Sequence, residues 1–273
     1  MITLLSDFGI RDAYVGVMKG VIAAIAPGKP TCDLTHNIPP QDILAARFNL
    51  MMAYPHFPKG TVHLAVVDPG VGSSRRAIAL QHPSGFFVAP DNGLLGSLFD
   101  LQDSDLPVTA VSLTNSHYWR VRQPSHTFHG RDIFAPAAAH LANGVPIEEL
   151  GDRINLATLV QPNLTPFQLV NSSSLNRYTG SLQYIDHFGN LISNIPGHVV
   201  SDSTWQVELT ASHHRFEFPG IKTYSDVPVG TLSAIVGSHG WVEIACSCGS
   251  AATALSGIAK IGTPLSLVSS KIT

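Results

Sequence analysis

The sequence is poor in charge, and its charged residues are nearly balanced in sign. Only 13% of the 273 residues are charged, and the formal net charge is -3, whereas about a quarter of the residues of an average soluble protein are charged. Because no basic stripe is present to neutralise phosphates, we expect neither a nucleic-acid nor an anionic-membrane partner. A surface so short of charge favours burial of part of it in an oligomer.

The few cysteines and the scattered histidines argue against two further classes of protein. Cys32, Cys246 and Cys248 form neither a CxxC pair nor an even set, which argues against a disulfide framework. The 13 histidines include no HExxH or His-x-His pair, so no metal centre is expected. We expect Cys246 and Cys248 to alternate along a strand edge as small buried residues.

Long apolar runs are also missing, so no segment has the length of a transmembrane span. The opening residues, MITLLSDFG, lack the basic region of a signal peptide and indicate a short strand that runs into a turn. We therefore expect no membrane partner and a cytoplasmic location.

Residues 1–160 alternate between strand and helix patterns, which is typical of an α/β domain with a central, mainly parallel sheet. Apolar residues recur at helical spacing over residues 14–25. The other main predicted elements are strands at 2–5, 31–34 and 62–67, helices at 42–54 and 133–143, and a short helix at 94–99.

The pattern changes after residue 160. Residues 161–175 contain prolines and a run of Asn and Ser, and are predicted to be a linker. Residues 176–273 consist of short alternating runs separated by turn residues, without a convincing long helix. This spacing indicates an all-β domain, either a small barrel or a sandwich.

The run VVDPGVGSSRR at residues 66–76 places an ionisable carboxylate, Asp68, at the end of a buried strand. Open α/β sheets bind ligands at this edge. Arg75 follows within reach across a loop that contains glycine, and such a pair can orient a water molecule or bind a polar group of a substrate. The alternative is a turn aspartate that caps its own backbone and forms a surface ion pair with Arg75.

Polar residues gather at other predicted strand ends. Asp7 follows the first strand and fits either the hydroxyls of a ribose or a cap on the helix at 14–25. His129 precedes a glycine at a helix start, a position that disfavours the charged imidazole and suits either a neutral hydrogen-bonding role or a structural one. We expect Asp132 to cap the helix that follows.

The segment DHFGN at residues 186–190 combines an acid, an aromatic ring and an amide in one predicted turn. Phe188 could stack on a planar base, Asn190 could read its edge, and Asp186 could pair with an amine. A plain β-turn explains every residue except Phe188. The sequence contains no dinucleotide fingerprint, P-loop or GxSxG nucleophile elbow.

Six motifs, taken in order, resemble those of one family. They are SDFG at 6–9, DPGVG with RR at 68–76, PDNGLL at 90–95, TFHGRDIFAPAAA at 127–139, IDHFGNLISNI at 185–195 and GSHGWVEIA at 237–245. The family is that of the S-adenosyl-L-methionine (SAM) hydroxide adenosyltransferases, which are related to the SAM-dependent fluorinase and chlorinase. The resemblance implies an α/β N-terminal domain, a β-barrel C-terminal domain and a homotrimer with active sites between subunits.

The resemblance also implies hydrolysis of SAM to adenosine and L-methionine, by attack of water or hydroxide at the ribose C5′ carbon. No metal or cofactor is expected, since the sulfonium is already a good leaving group. The implied hydrolytic residues are Asp68, Arg75 and His129. The implied substrate-binding residues are Asp7 for the ribose, Asp186 for the methionine amine and Asn190 for adenine. Ser238 is implied for the methionine carboxylate, together with His239, which stands where the halogenases carry arginine. Phe188, Cys246 and Cys248 are expected to lie beside the adenosine.

Two other functions fit parts of this pattern. A SAM-dependent halogenase carries a non-acidic residue at the position of Asp68, tyrosine at that of His129 and serine at that of Gly130, and it has a long insertion where this chain has a short loop after Arg76. A carboxylate aimed at the nucleophile would also repel a halide. A non-catalytic SAM or adenosine sensor would need the substrate-binding residues and not the hydrolytic set.

Overall fold

In the computed structural model, which describes residues 1–96, 108–171, 175–200, 204–211 and 214–270, the chain divides into two units. The units are Met1–Pro162 and Asn163–Thr273. Each unit has its own sheet and its own cluster of buried apolar side chains. Each is therefore built around a separate core.

The sheet of the first unit is mixed. Its strands are β1 (Ile2–Ser6), β2 (Thr31–Thr35), β3 (Thr61–Val66), β4 (Ala77–His82), β5 (Gly85–Pro90), β6 (Thr109–Ser112) and β7 (Asp152–Arg153). They lie in the order β2-β1-β3-β5-β4-β6-β7, in which the first three pairings are parallel and the last three are antiparallel. The expected α/β class is confirmed, with parallel strands in one half of the sheet.

The helices of this unit are α1 (Tyr14–Ile25), α2 (Ile43–Ala53) and α3 (Ala135–Ala142), and a π-helical turn, Gly130–Phe134, leads into α3. α1 has its predicted bounds because its apolar spacing carries Met18 and Ile22 into the core. Asp42 caps α2, since its carboxylate accepts the Ala45 N–H at 2.9 Å. The helix expected at 94–99 extends beyond the described residues, and the described residues 94–96 are not helical.

Every residue of β1 and β3 is buried. Strands have this continuous burial when both faces of their sheet are covered. On one face, α1 and α3 pack against a row that includes Ile2, Val62 and Leu64. Because β3 is covered on both sides, the residues just beyond its end are held by a rigid base.

The second unit is antiparallel throughout its named strands. They are β8 (Gln168–Asn171), β9 (Leu175–Ile185), β10 (Leu191–Pro196), β11 (Trp205–Ala211), β12 (His214–Pro219), β13 (Leu232–Val236), β14 (Trp241–Cys246) and β15 (Pro264–Ser270), with one short helix, α4 (Ala251–Ala254). Their order is β12-β11-β15-β9-β10-β14-β13, and β8 pairs with β9. A bridge from Gly220 to Ala234 joins the two outer strands, so the sheet nearly closes, as expected of a barrel. β8 lies within the stretch that the sequence predicts to be a linker.

Two expectations about single residues are wrong. Cys246 ends β14 and is buried, but Cys248 lies in the following turn with φ at +54° and is exposed, so the two do not alternate along a strand. Asp132 does not cap α3, because it lies inside the π-helical turn and is fully buried. The N-cap position of α3 belongs to Phe134, which makes no side-chain cap bond.

None of the helices in the described part of the chain combines the length and the apolar character that crossing a bilayer requires.

A buried histidine makes the stability of the first unit depend on pH. His63 in β3 is 1% exposed, shares one hydrogen bond with the Thr3 hydroxyl at 2.8 Å, and stacks on Phe87 with ring centroids 4.9 Å apart. Burial lowers the pKa of His63 from 6.5 to about 4. The unfolded chain therefore binds a proton at this position more readily than the folded chain does.

We expect the free energy of unfolding to fall as pH decreases from about 6.5 to 4, with His63 contributing a loss of about 3 kcal/mol. Urea unfolding at several pH values would measure the slope. His63→Asn removes the titrating ring and should flatten that slope, whereas His56→Asn, at an exposed position, should leave it unchanged. An equal slope in His63→Asn and the wild type would contradict this assignment.

Candidate active site

Asp68 lies two residues beyond β3, where the chain leaves the buried sheet. The loop that follows folds back through local hydrogen bonds. The Val71 N–H donates to the Asp68 carbonyl at 3.2 Å, and the Ser73 N–H donates to the Gly70 carbonyl at 3.1 Å. The Ser73 hydroxyl then accepts the Arg75 N–H at 3.2 Å. These turns bring the side chain of Arg75 back over Asp68.

Arg75 and Asp68 form a bidentate ion pair in a nearly dry environment. Nε of Arg75 donates to Oδ1 of Asp68 at 2.9 Å, and Nη2 donates to Oδ2. The two side chains are only 10% and 6% exposed. The Phe134 ring lies under the guanidinium, with its centroid 5.1 Å from Cζ. Because an arginine fork matches a carboxylate and stacks on an aromatic ring, both charged groups are held in one orientation.

His129 joins this pair through the same guanidinium. Nη2 of Arg75 lies 2.8 Å from Nδ1 of His129. Since a guanidinium only donates hydrogen bonds, Nδ1 must accept, and the ring proton is on Nε2. Burial, followed by the positive charge of Arg75, lowers the pKa of His129 below its usual value. This direction agrees with the neutral imidazole expected from the sequence, and the ring presents an N–H donor at Nε2.

The two loops that carry these residues touch at Gly72. A Cβ atom at this position would lie 2.4 Å from the carbonyl oxygen of His126, and Gly72 has φ of +78°. Both facts require glycine here, because a side chain would be strained and would collide with backbone. The close approach sets the separation between the 68–76 loop and the segment that ends in His129.

Asp132 anchors the segment before His129. Its buried carboxylate accepts Nε and Nη2 of Arg131, both at 2.7 Å, and the Ser125 N–H at 2.9 Å. Nη1 of Arg120 approaches at 3.4 Å. The hydrogen bond from Arg131 is the main reason that the pKa of Asp132 lies below its usual value. The carboxylate therefore holds the 120–125 segment against the π-helical turn.

A second ion pair, in which Asp91 is buried and Arg76 is partly exposed, anchors the other end of the 68–76 loop. Nε of Arg76 donates to Oδ2 of Asp91 at 2.8 Å, and Nη1 donates to the Thr158 hydroxyl at 3.0 Å. The remaining oxygen of Asp91 accepts the Val160 N–H at 3.0 Å. The next residue, Asn92, donates its amide to the Val67 carbonyl at 2.8 Å. The PDNG turn is therefore the structural support of the strand end.

Asp7 follows β1 and is partly exposed. One of its carboxylate oxygens accepts the Gln41 N–H at 2.9 Å. α1 begins after Ala13 without a side-chain cap, so Asp7 does not cap that helix. Its neighbour Ser6 is buried and bonds to Nδ1 of His36 at 2.7 Å. Asp7 thus keeps a carboxylate at the strand edge, while Ser6 fixes the backbone behind it.

In the second unit, Asp186 organises the turn at 186–190. Its Oδ1 accepts the backbone N–H groups of Phe188 at 3.0 Å and Asn190 at 2.8 Å, and its Oδ2 accepts the Asn190 amide at 2.9 Å. Gly189 has φ of +82° and leaves no room for a Cβ beside Ser250. The Phe188 ring is 73% exposed, which the plain-turn interpretation does not explain.

A second turn, at 237–240, joins β13 to β14 and carries Ser238 and His239. Ser238 is exposed, whereas the His239 side chain is 14% exposed. Nε2 of His239 lies 2.8 Å from Oε2 of Glu243, and Nδ1 lies 3.1 Å from the Trp241 N. The Tyr224 hydroxyl donates to Oε1 of Glu243 at 2.6 Å.

The predicted residues thus fall into several places. Asp68, Arg75 and His129 are in direct contact, and Asp186, Phe188 and Asn190 share one turn. Ser238 and His239 share another, while Cys246 and Cys248 lie at the end of β14 and just after it. Among the residues that the structure describes, no three His, Cys, Asp or Glu side chains are grouped as a metal site requires.

Sequence reasoning missed the residues that support these groups. Asp91 lies in the PDNGLL motif at 90–95, but the motif does not show that its partner is Arg76. The others are Phe134, Tyr224 and Glu243. Phe134 and Glu243 lie inside two of the quoted motifs, at 127–139 and 237–245, but the motifs do not show which side chains they contact. Tyr224 lies outside every quoted motif.

Comparison with known proteins gives a consistent result. A curated relative from Thermus thermophilus, named (R)-S-adenosyl-L-methionine hydrolase, is 40% identical over 97% of this chain and 98% of that protein. A relative from an Actinoplanes species, named fluorinase, is 26% identical over 90% of each. A solved structure of an uncharacterized conserved protein from Thermotoga maritima superposes with a TM-score of 0.84 at 35% identity, over 98% of this chain and 99% of that chain.

Family models match both units. The model of the SAM hydroxide adenosyltransferase N-terminal domain matches residues 2–151, and that of the C-terminal domain matches residues 180–260. These two matches span most of the sequence and carry the motifs that surround Asp68, His129 and Asp186. This chain therefore belongs to the SAM hydroxide adenosyltransferase family.

Proposed function

We propose that this protein hydrolyses SAM to adenosine and L-methionine by in-line attack of water at the ribose C5′ carbon. The observation that carries the proposal is the buried contact of Arg75 with both Asp68 and His129. The name of the relative from Thermus thermophilus supports the same reaction. In this reaction the C5′–O bond forms, the C5′–S bond breaks, and its electron pair neutralises the sulfonium.

The difficult partner in this reaction is water. The departing group is a neutral thioether, so it needs no proton from a general acid and no metal. Water is a weak nucleophile, and it must be held in line behind C5′ with its lone pair directed at the carbon. Such positioning is worth on the order of several kcal/mol of barrier. SAM is the substrate, and the proposed reaction needs no cofactor.

The hydrogen-bonding directions suggest how the three side chains divide this task. Nη2 of Arg75 already donates to both Asp68 and His129, so Arg75 orients its neighbours. The Nε2–H of His129 can donate to one lone pair of the water and leave the other for attack. Because Nδ1 of His129 is engaged and Nε2 carries a proton, Asp68 is the group that accepts the proton of the water.

The remaining predicted residues are assigned to the substrate. Asp7 would accept hydrogen bonds from the ribose hydroxyls, and Asp186 would pair with the methionine amine. The side-chain amide N–H of Asn190 donates to Asp186. The Oδ1 atom of Asn190 would then accept a hydrogen bond from the adenine amine. The exposed Phe188 ring would stack on the base, and Ser238 would bind the carboxylate. The backbone near Cys246 and Cys248 would lie beside the adenine.

The carboxylate of Asp68 also favours water over a halide ion as the nucleophile. A carboxylate that faces the attacking group repels an anion, and its burial strengthens that repulsion. Arg75 neutralises the charge of Asp68 by donating hydrogen bonds to it. Those donors are then not available to bind a halide ion. Hydrolysis is therefore the better assignment for this site than halogenation.

We also propose a homotrimer in which active sites are completed between subunits. The low charge content and several exposed apolar side chains support subunit contacts, among them Ile10 at 81% exposure and Tyr14 at 49%. The cytoplasmic location expected from the sequence stays a prediction.

Sedimentation equilibrium should give a mass of about three times 29.1 kDa. Replacing the exposed apolar residue Val17 on α1 by Asp should lower that mass and reduce turnover if the face takes part in assembly. A wild-type protein that sediments as a monomer while it hydrolyses SAM would contradict the trimer.

The proposed reaction predicts where the new oxygen atom is found. In water enriched in oxygen-18, adenosine should carry the label at O5′ and methionine should carry none, because only the C5′–O bond is formed. Chromatography and mass spectrometry would identify the products. Added chloride should leave the products unchanged, and formation of 5′-chloro-5′-deoxyadenosine would instead support the halogenase alternative. Tight binding of SAM without any product would support the sensor.

The protonation state of His129 predicts an acid limb in the activity. Protonated His129 cannot accept from Arg75, so kcat/KM should be constant above pH 6.5 and should fall at lower pH, through the lowered pKa of His129. His129→Asn keeps an acceptor near Nδ1 and loses the Nε2–H group. We expect this variant to lower kcat by about a hundredfold with little change in KM, and to lose the acid limb.

Two further variants show whether the fall in kcat/KM at low pH belongs to His129. His117→Asn, at an exposed position, should keep the wild-type pH profile. Asp68→Asn should lower kcat at every pH. If the acid limb persisted unchanged in His129→Asn, the titrating group would be another residue.

A further inference from the structure

Glu243 is a buried carboxylate that the proposed chemistry does not use. The residue is 2% exposed, and it lies on β14 between Ile192 of β10 and Ile235 of β13. A carboxylate this deep is costly unless both of its oxygens are hydrogen bonded. Tyr224 donates to one oxygen at 2.6 Å, and His239 lies 2.8 Å from the other. Glu243 therefore links the loop before β13 to the turn after it.

The same contacts fix the protonation of His239. The Trp241 N–H points at Nδ1, so Nδ1 carries a lone pair and accepts at 3.1 Å. The ring proton is then on Nε2, where it is donated to Glu243. Both ring nitrogens of His239 are therefore engaged inside the chain. Neither is left to bind the carboxylate of a substrate.

The His239 ring packs closely on the turn that it belongs to. A Cβ atom at Gly237 would lie 2.5 Å from Nε2 of His239 and 2.7 Å from Oε2 of Glu243. Within the turn, the Gly237 N–H donates to the Trp241 carbonyl at 3.0 Å, and the Gly240 N–H donates to the Gly237 carbonyl at 2.9 Å. These contacts hold the turn on both sides of the exposed Ser238.

Tyr224 is the second hydrogen-bond donor to Glu243. Tyr224 is 44% exposed, and partial burial, followed by its bond to Glu243 and the charges of Glu243 and Asp186, raises its pKa. Tyr224 therefore stays a neutral donor to Glu243.

We propose that Glu243, which also accepts a hydrogen bond from Tyr224, is a positioning residue for the methionine end of SAM and acts through His239 to hold the Ser238 turn. This inference rests on the proposed function. It assigns His239 to the support of the turn, where the sequence analysis expected a direct contact with the substrate. The negative charge of Glu243 would repel the substrate carboxylate if it were exposed, and the His239 ring covers it.

The test compares SAM with decarboxylated SAM, which keeps the adenosine, the sulfonium and the amine. Glu243→Gln has one acceptor oxygen in place of two, so either Tyr224 or His239 loses its acceptor. We expect KM for SAM to rise about tenfold, with kcat within about twofold of the wild type. KM for decarboxylated SAM should change little, because it has no carboxylate for the turn to bind. Tyr224→Phe, a milder change, should shift the ratio of the two KM values in the same direction.

A double-mutant cycle separates support from direct contact. His239→Asn keeps an acceptor for the Trp241 N–H and breaks the link to Glu243. If His239 acts through Glu243, the double variant should raise KM for SAM no more than the larger single variant does. If His239 binds the carboxylate itself, the two effects should multiply, and that result would overturn the inference. Glu217→Gln, at an exposed position of β12, is the matched control and should change neither KM.

Dissociation constants of SAM and decarboxylated SAM, measured by calorimetry, report binding without depending on turnover. They therefore test the role of Glu243 separately from the proposed hydrolysis. A wild type that binds SAM without releasing adenosine would contradict the proposed function, while the dissociation constants would still decide the role of Glu243. Equal weakening of SAM and decarboxylated SAM by Glu243→Gln would overturn the inference even in an active enzyme.

Discussion

The arrangement of the candidate active site depends on the Arg75 guanidinium. It donates to Asp68 and to His129 and stacks on Phe134, so one side chain sets the positions of three others. A buried ion pair is stable only when its hydrogen bonds are satisfied, and a displaced partner would leave an unpaired charge in an apolar setting. The surrounding backbone must therefore hold these groups to within a fraction of an ångström.

Several independent contacts supply that rigidity. The strand before Asp68 is buried on both faces, and Gly72 lets two loops touch backbone to backbone. Arg76, next to Arg75 in sequence, turns to a different acid, Asp91, and ties the loop to the segment around residue 158. Successive residues of an extended chain point in opposite directions. Two adjacent arginines can thus form separate ion pairs, Arg75 in the candidate active site and Arg76 in the loop that supports it.

The sequence predicted the fold class, the bounds of α1 and the strand end that carries Asp68, because periodicity and turn residues report local structure directly. It predicted the wrong role for Asp132, because a carboxylate before a helix has the same local pattern whether it caps the helix or is buried in an ion pair. The prediction that Cys248 lies on a strand was wrong because the hydrophobic pattern does not show a residue with a left-handed backbone conformation. The contact of Tyr224 with Glu243 was missed because the hydrophobic pattern does not show which loop side chains a barrel brings together.

The π-helical turn at Gly130–Phe134 has a consequence for how His129 and Phe134 meet Arg75. In a regular α-helix, two residues five positions apart point about 140° away from each other. The turn instead closes with a bond from the Ala135 N–H to the Gly130 carbonyl, which adds one residue to the ring. Positions 129 and 134 then face the same side. Deleting a single residue here would retain Arg75, His129 and Phe134 and still rotate the imidazole away from the guanidinium, so the number of residues in this turn is itself a requirement of the contact.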